Sequence, residues 1–192
     1  MSPHGEGAAV KSVRMRAIAL SLLAGLLAAI TYAAPASAGT GVAPAGAAPA
    51  AAGPYSMFFL HSDKCVTVPG ASGQWGVQLD QWECISTTTF NQRWFFEFTT
   101  DGYAKIRNQN SGLCINVSGG STANGAAIIQ WTCTGTTNQQ FTLRLAGTGI
   151  YQLVAVHSGK CVDVSNASTA DGALAIQWTC GTGTNQRWRL TR

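Results

Sequence analysis

From Tyr55 to Arg192 short apolar runs alternate with clusters of Gly, Asn, Asp, Ser and Thr, and the whole arrangement occurs three times. In the middle copy the runs are Tyr103–Arg107, Leu113–Val117, Ala126–Trp131 and Gln140–Leu145. Runs this short, bounded by turn residues, predict strands rather than helices. Four runs in each of three copies predict twelve strands. Asn124-Gly125 and Asp171-Gly172 are strong hairpin signals, and Trp75-Gly76 holds the same place in the first copy. No stretch of residues 55–192 shows a helical period, so the predicted class is all-β.

The copies share more than their pattern. Ile176 to Leu190 reads IQWTCGTGTNQRWRL, Ile129 to Leu143 reads IQWTCTGTTNQQFTL, and Asp80 to Phe96 reads DQWECISTTTFNQRWFF. A fixed period of this size marks a repeat architecture whose units bury one core together. The aromatics of Gln-x-aromatic, Trp94, Phe141 and Trp188, are the expected shared contribution. Strand alternation would turn Gln92, Gln139 and Gln186 to the same side as those aromatics, with Asn91, Asn138 and Asn185 on the other. The glutamines are then expected to satisfy buried backbone groups.

The N-terminal part has a different character. Lys11, Arg14 and Arg16 precede the uncharged apolar run Ala17–Ala34, and Ala36-Ser37-Ala38 follows as a small-residue cleavage site. Residues 1–38 therefore read as a signal peptide cut after Ala38, with an uncleaved membrane anchor as the alternative. Residues 39–54 are nearly all Ala, Gly and Pro, and read as a linker that cannot build a core. The folded domain is expected at 55–192, with lobes at about 55–98, 103–145 and 151–192. Without the leader, nine basic residues face seven acidic ones and no basic run remains. Nucleic acid is a poor partner for such a chain, and so is a membrane once the signal peptide is gone.

All six cysteines lie in the folded part, and Cys65/Cys84, Cys114/Cys133 and Cys161/Cys180 are each nineteen residues apart. Equal spacing inside equal repeats argues for one disulfide per lobe, as expected of a secreted chain. Each bridge should stabilise the fold by on the order of 3 kcal/mol. A metal site is not expected, because there is no CxxC and only His61 and His157 survive cleavage. Those histidines precede the first cysteine of two lobes by the same four residues, so repeat position explains them and they are expected at the surface. No GxSxG or HExxH is present and no cysteine is left over. Asp80 and Glu83, three apart on a strand, would fall on opposite faces and make no acid/base pair. No catalysis and no cofactor are expected.

At Cys-x-Asp-Val, Trp-x-Cys and the threefold Gln-x-Trp signature, the chain resembles the ricin-type β-trefoil lectins. The resemblance covers Tyr55 to Arg192. It implies a trefoil of twelve strands, one disulfide per lobe and up to one shallow sugar pocket per lobe. In that family the pocket uses the Asp of Cys-x-Asp-Val, the aromatic two before the second cysteine, and the Asn before Gln-x-Trp. An aromatic plane covers the C–H face of a sugar ring, while a carboxylate and an amide take its hydroxyls.

The third lobe matches throughout, with Asp163, Trp178 and Asn185 and with Gln186 beside them, and is the best candidate. The second offers Asn116, Trp131, Asn138 and Gln139, where loss of the charged acceptor implies weaker binding. The first has Thr67, Trp82 and Asn91, with a loop before Asn91 two residues longer, and ranks last. The family often places a Gln two residues before the platform aromatic. Here Gln81, Gln130 and Gln177 stand immediately before Trp82, Trp131 and Trp178, which leaves open whether these indoles face outward or pack in the core. Asn116-Val-Ser118 and Asn166-Ala-Ser168 are glycosylation sequons by pattern, expected to stay bare. The implied protein is a secreted, monomeric, non-catalytic binder of galactose- or xylose-containing polysaccharide or glycoconjugate. The alternative is a protein-interaction or structural trefoil with decayed sugar sites.

Overall fold

The structure is a computed structural model that describes residues 51–85 and 89–192. The expected signal peptide, 1–38, and most of the expected linker, 39–54, lie outside the described residues. Among the described residues there are twelve strands, in the order the sequence predicts. Lobe 1 contains β1 (Ala52–Phe59), β2 (Cys65–Thr67), β3 (Asp80–Trp82) and β4 (Arg93–Phe98). Lobe 2 contains β5 (Ala104–Asn108), β6 (Cys114–Val117), β7 (Ile128–Trp131) and β8 (Phe141–Gly147). Lobe 3 contains β9 (Ile150–Ala155), β10 (Cys161–Val164), β11 (Ala173–Trp178) and β12 (Trp188–Thr191). Strand β1 takes in Ala52, Gly53 and Pro54, which the sequence assigns to the linker. Ala52 pairs with Phe96, so the ladder, rather than side-chain size, sets where the fold begins.

Two layers follow from the pairing. The outer strands of each lobe close a ring, β1–β4–β5–β8–β9–β12 and back to β1, all antiparallel. Closure leaves this layer no free edge. The inner strands of each lobe form hairpins, β2–β3, β6–β7 and β10–β11, which cap the ring. This is a β-trefoil.

The core lies inside. Trp94, Phe141 and Trp188 are all buried, joined by Met57, Phe59, Phe96, Ile106 and Leu153. Each lobe thus sends its motif aromatic to a common centre, and no lobe would bury it alone. The three disulfides are Cys65–Cys84, Cys114–Cys133 and Cys161–Cys180, as the spacing predicts.

The lobes are fastened to one another by buried amides. Gln81, Gln130 and Gln177 are fully buried. Gln130 Nε2 donates to the carbonyls of Ser72 (2.9 Å) and Gln74 (2.7 Å), and its Oε1 accepts from Ser111 Oγ (2.8 Å). Gln81 makes the same bonds to Ser168, Ala170 and Ser62, and Gln177 to Ser121, Ala123 and Ser158. Each glutamine reaches from its own lobe into the preceding one in cyclic order. His61 and His157 belong to the same interface. Their Nε2 atoms donate to the carbonyls of Ser168 (2.9 Å) and Ser121 (3.0 Å), so they are half-buried pins between lobes rather than surface residues.

Candidate functional site

Alternation along the inner hairpins decides which way the tryptophans point. With Gln81 and Gln177 directed inward, their neighbours Trp82 and Trp178 emerge on the outer face, 44% and 46% exposed. Trp131 is half-buried. Each of the three stands at the mouth of a pocket.

The lobe 3 pocket is an open cavity of about 470 Å³ whose lining includes Asp163, Ile176, Trp178, Asn185 and Gln186. Asp163 on β10 lies directly opposite Ile176 on β11, so their side chains share a face. A one-turn 3-10 segment, Thr184–Gln186, brings the amides over the carboxylate. Asn185 Nδ2 donates to Asp163 Oδ1 at 2.8 Å, and Gln186 Nε2 donates to Oδ2 at 2.6 Å. Burial raises the Asp163 pKa above its ordinary value, and the two amide bonds work against that rise. What results is a carboxylate fixed in orientation beside an exposed indole, with lone pairs still free to accept hydroxyl protons.

Gln186 is fully used within the protein. It also donates to the carbonyl of Thr179 (3.0 Å) and accepts from the amide of Gly181 (2.7 Å). Gln139 holds Thr132, Thr134 and Gly135 in the same way, and Gln92 holds Glu83 and Ile85. These glutamines clamp the loop behind each pocket. They are buried, as parity predicts, but for a different reason. Asn91-Gln92, Asn138-Gln139 and Asn185-Gln186 all sit in 3-10 turns, where strand alternation does not apply. Hence Asn91 is buried with its aromatic, and its Nδ2 donates to the Val68 carbonyl at 3.0 Å.

Lobe 2 repeats the plan without charge, in a cavity of about 290 Å³. Asn138 Nδ2 donates to Asn116 Oδ1 at 2.8 Å, and Asn116 Nδ2 is taken by the Val117 carbonyl. Asn116 is buried, with its amide nitrogen occupied. The exposed sequon residue is Asn166, which lines the lobe 3 pocket.

Lobe 1 encloses about 220 Å³, lined by Thr67, Trp82 and Asn91 together with Asp80, Pro69 and Ile85. Thr67 is committed internally, donating to the Cys65 carbonyl and accepting from Gln92 Nε2. Asp80 is a pocket residue that sequence reasoning had considered only as half of an acid/base pair.

The neighbouring lobe braces the indole of each pocket, a contact absent from the sequence-based picture. The turn glycines Gly76, Gly125 and Gly172 (φ +83°, +84° and +76°) bring the backbone against Trp131, Trp178 and Trp82. A Cβ at these glycines would lie 3.7, 4.0 and 3.9 Å from the respective indole. The residue before each glycine then differs. Asn124 Oδ1 accepts from the Thr179 amide (3.0 Å), and Asp171 Oδ1 accepts from the Glu83 amide (2.8 Å) and pairs with Lys64 (2.6 Å). Trp75 instead meets Trp131 edge-on, centroids 4.7 Å apart, and is 63% exposed. The hairpin motif was visible in the sequence, but nothing local said which lobe's indole it would meet.

A closed six-stranded ring capped by three hairpins, with an open pocket beside an indole in every lobe, defines a β-trefoil of the lectin type. The model of the ricin-type beta-trefoil lectin domain-like family matches residues 47–131, 90–178 and 137–192, and the chain belongs to that family. Among solved structures it is similar to ThreeFoil, a designed 3-fold symmetric protein, at 41% identity. That match covers 72% of this chain and 97% of the other, with a TM-score of 0.69. It is similar at 33% identity to an exo-β-1,3-galactanase from Clostridium thermocellum, covering 75% of this chain but only 31% of that enzyme (TM-score 0.69). A Macrolepiota procera ricin B-like lectin, solved in complex with lactose, shares the fold at 15% identity. There the match covers 76% of this chain and 97% of the lectin, with a TM-score of 0.60. No curated protein matches the sequence.

Proposed function

We propose that this is a secreted, monomeric carbohydrate-binding protein that docks on galactose- or xylose-containing polysaccharide or glycoconjugate without altering it, with lobe 3 as its principal site. One observation carries the reading: the Asp163 carboxylate is held by Asn185 and Gln186 next to the exposed ring of Trp178 in an open pocket. Trp178 covers the apolar face of a pyranose, Asp163 accepts from a hydroxyl pair, and Asn185 offers its remaining amide groups. Lobe 2 binds more weakly through Asn116 and Asn138, and there Trp75 widens the aromatic surface offered by Trp131. Each pocket is shallow, so a single sugar is held weakly.

A binding rather than a hydrolytic role is supported by the linings. Among the described residues, glycoside hydrolysis would call for two carboxyl groups flanking one bond, and the lobe 3 lining offers only Asp163. The similarity to a galactanase covers less than a third of that enzyme and carries no activity across.

The test is binding to arabinogalactan and xylan by calorimetry and pull-down. Asp163→Ala and Trp178→Ala should each lower affinity by about 10- to 100-fold, the scale of a charge-assisted bond or a stacked ring. If both variants bind like the parent, lobe 3 is not the site. The second reading, a protein-interaction trefoil, draws on Thr67 and Asn116, which replace the acid in two lobes. A glycan array on which the parent finds no ligand would select it.

A further inference from the structure

The register of the lobe 1 hairpin moves a carboxylate rather than losing one. In lobes 2 and 3 the polar residue is on the first hairpin strand and isoleucine faces it, as Asn116 opposite Ile129 and Asp163 opposite Ile176. In lobe 1 the order is reversed, with Thr67 on the first strand and Asp80 directly opposite on the second. Directly opposed side chains share one face at a spacing of about 5 Å. The acid therefore stays in the pocket and changes strand.

Asp80 is built into this position. It is only 6% exposed and lines the cavity with Trp82, and among the described residues its Oδ1 has no hydrogen-bond partner. A buried carboxyl oxygen without a partner is costly and calls for an explanation. The groups around it do not supply one. Asp171 repels it, Lys64 is already bound to Asp171, and Thr67 is engaged with Cys65 and Gln92. Asn91 and Gln92 also line the pocket, but Asn91 Nδ2 donates to the Val68 carbonyl and Gln92 Nε2 to Thr67 and the Glu83 carbonyl. The remaining lining of Pro69, Gly70, Ala71 and Ile85 is apolar. A pocket with an indole on one side, an apolar floor and one unsatisfied acceptor fits a neutral pyranose whose hydroxyls point at the acid.

We propose that Asp80 supplies from the opposite strand the carboxylate that Asp163 supplies in lobe 3, and that this residue makes the lobe 1 pocket, ranked last on its sequence, competent to hold a saccharide. This rests on the carbohydrate-binding reading above, and the experiment separates the two. The 15N-labelled protein, with its disulfides formed, is titrated with lactose and with xylobiose while the indole N–H signals of Trp82 and Trp178 are followed. In the parent, at least one sugar should shift Trp82. Asp80→Ile installs the residue type the other lobes carry, and should abolish the Trp82 response while leaving that of Trp178 unchanged. Asp80→Asn keeps the shape, and should weaken the Trp82 response at least 10-fold.

A parent in which Trp178 responds and Trp82 does not would overturn the lobe 1 site alone. So would an Asp80→Ile variant whose Trp82 still responds. Silence from both indoles with both sugars would overturn this site together with the general reading. A response from Trp82 alone would support lobe 1 and remove lobe 3.

Discussion

The carboxyl of Asp80 titrates at about 6 instead of the ordinary 3.8, because burial penalises its charged form and Asp171 adds repulsion. A raised acid means that the folded protein binds more protons than the unfolded chain between those two values. Its contribution to stability is therefore most favourable below about 3.8 and is lost as pH rises through about 6. The loss amounts to at most roughly 3 kcal/mol. Asp163 is shifted in the same direction, so only the difference between parent and variant isolates Asp80. Asp80→Asn should gain stability in denaturant unfolding at pH 8 and little or none at pH 4. An equal effect at both values would place the cost in packing rather than in charge. A destabilising carboxylate fits a binding residue, whose strain is relieved when a ligand donates to it. At this scale the sequence was informative where chemistry followed the repeat, as at Asp163, Trp178 and Asn185. It weighed Asp80 only against Glu83, because the role proposed for it depends on cross-strand register with Thr67 and not on any neighbour along the chain.

Among the elements, the inner hairpins are legible as strand–turn–strand, and what escapes is how they meet. Trp75-Gly76, Asn124-Gly125 and Asp171-Gly172 read locally as turns, yet each presses on the indole of another lobe. The Asn-Gln pairs were assigned a strand's alternation, but a 3-10 turn puts Gln186 and Asn185 on one carboxylate together. A rule of period two has no means of showing that. The glutamines before the tryptophans carry the hairpins' mutual attachment. Gln130→Leu would strand the carbonyls of Ser72 and Gln74 and the Ser111 hydroxyl, all now bonded to one amide. Fully buried groups left unmatched cost about 1–3 kcal/mol each, and here water relieves part of it, since Ser72 is half-buried and Gln74 exposed. Unfolding of Gln130→Leu in urea should show a loss of about 2–4 kcal/mol. Because the amide joins two lobes, hydrogen exchange should quicken in lobe 1 around Ser72 as well as in lobe 2. A loss confined to lobe 2 would mean that the lobes are held by the central aromatics alone.

For the whole molecule, the proposed function implies that the threefold plan turns weak pockets into a gripping surface. The pockets of lobes 1, 2 and 3 stand on hairpins that cap one closed ring, so their separations are fixed. A long polysaccharide that occupies one pocket presents its next residues to another at an effective concentration set by that fixed geometry. Monosaccharide and polymer should then respond differently to the loss of a site. With lobes 1 and 3 both removed by Asp80→Ile and Asp163→Ala, the remaining lobe 2 should keep its own weak affinity for free sugar. Retention on polymer should collapse, because a single engaged pocket has no partner to recapture the chain. Affinity electrophoresis through gels containing xylan or arabinogalactan measures this directly. The single variants should migrate between parent and double variant, and the double variant should lose more retardation than the two single losses predict on independent sites. Strictly independent losses would show that the pockets face too far apart for one chain to bridge, and binding would then follow the best lobe alone.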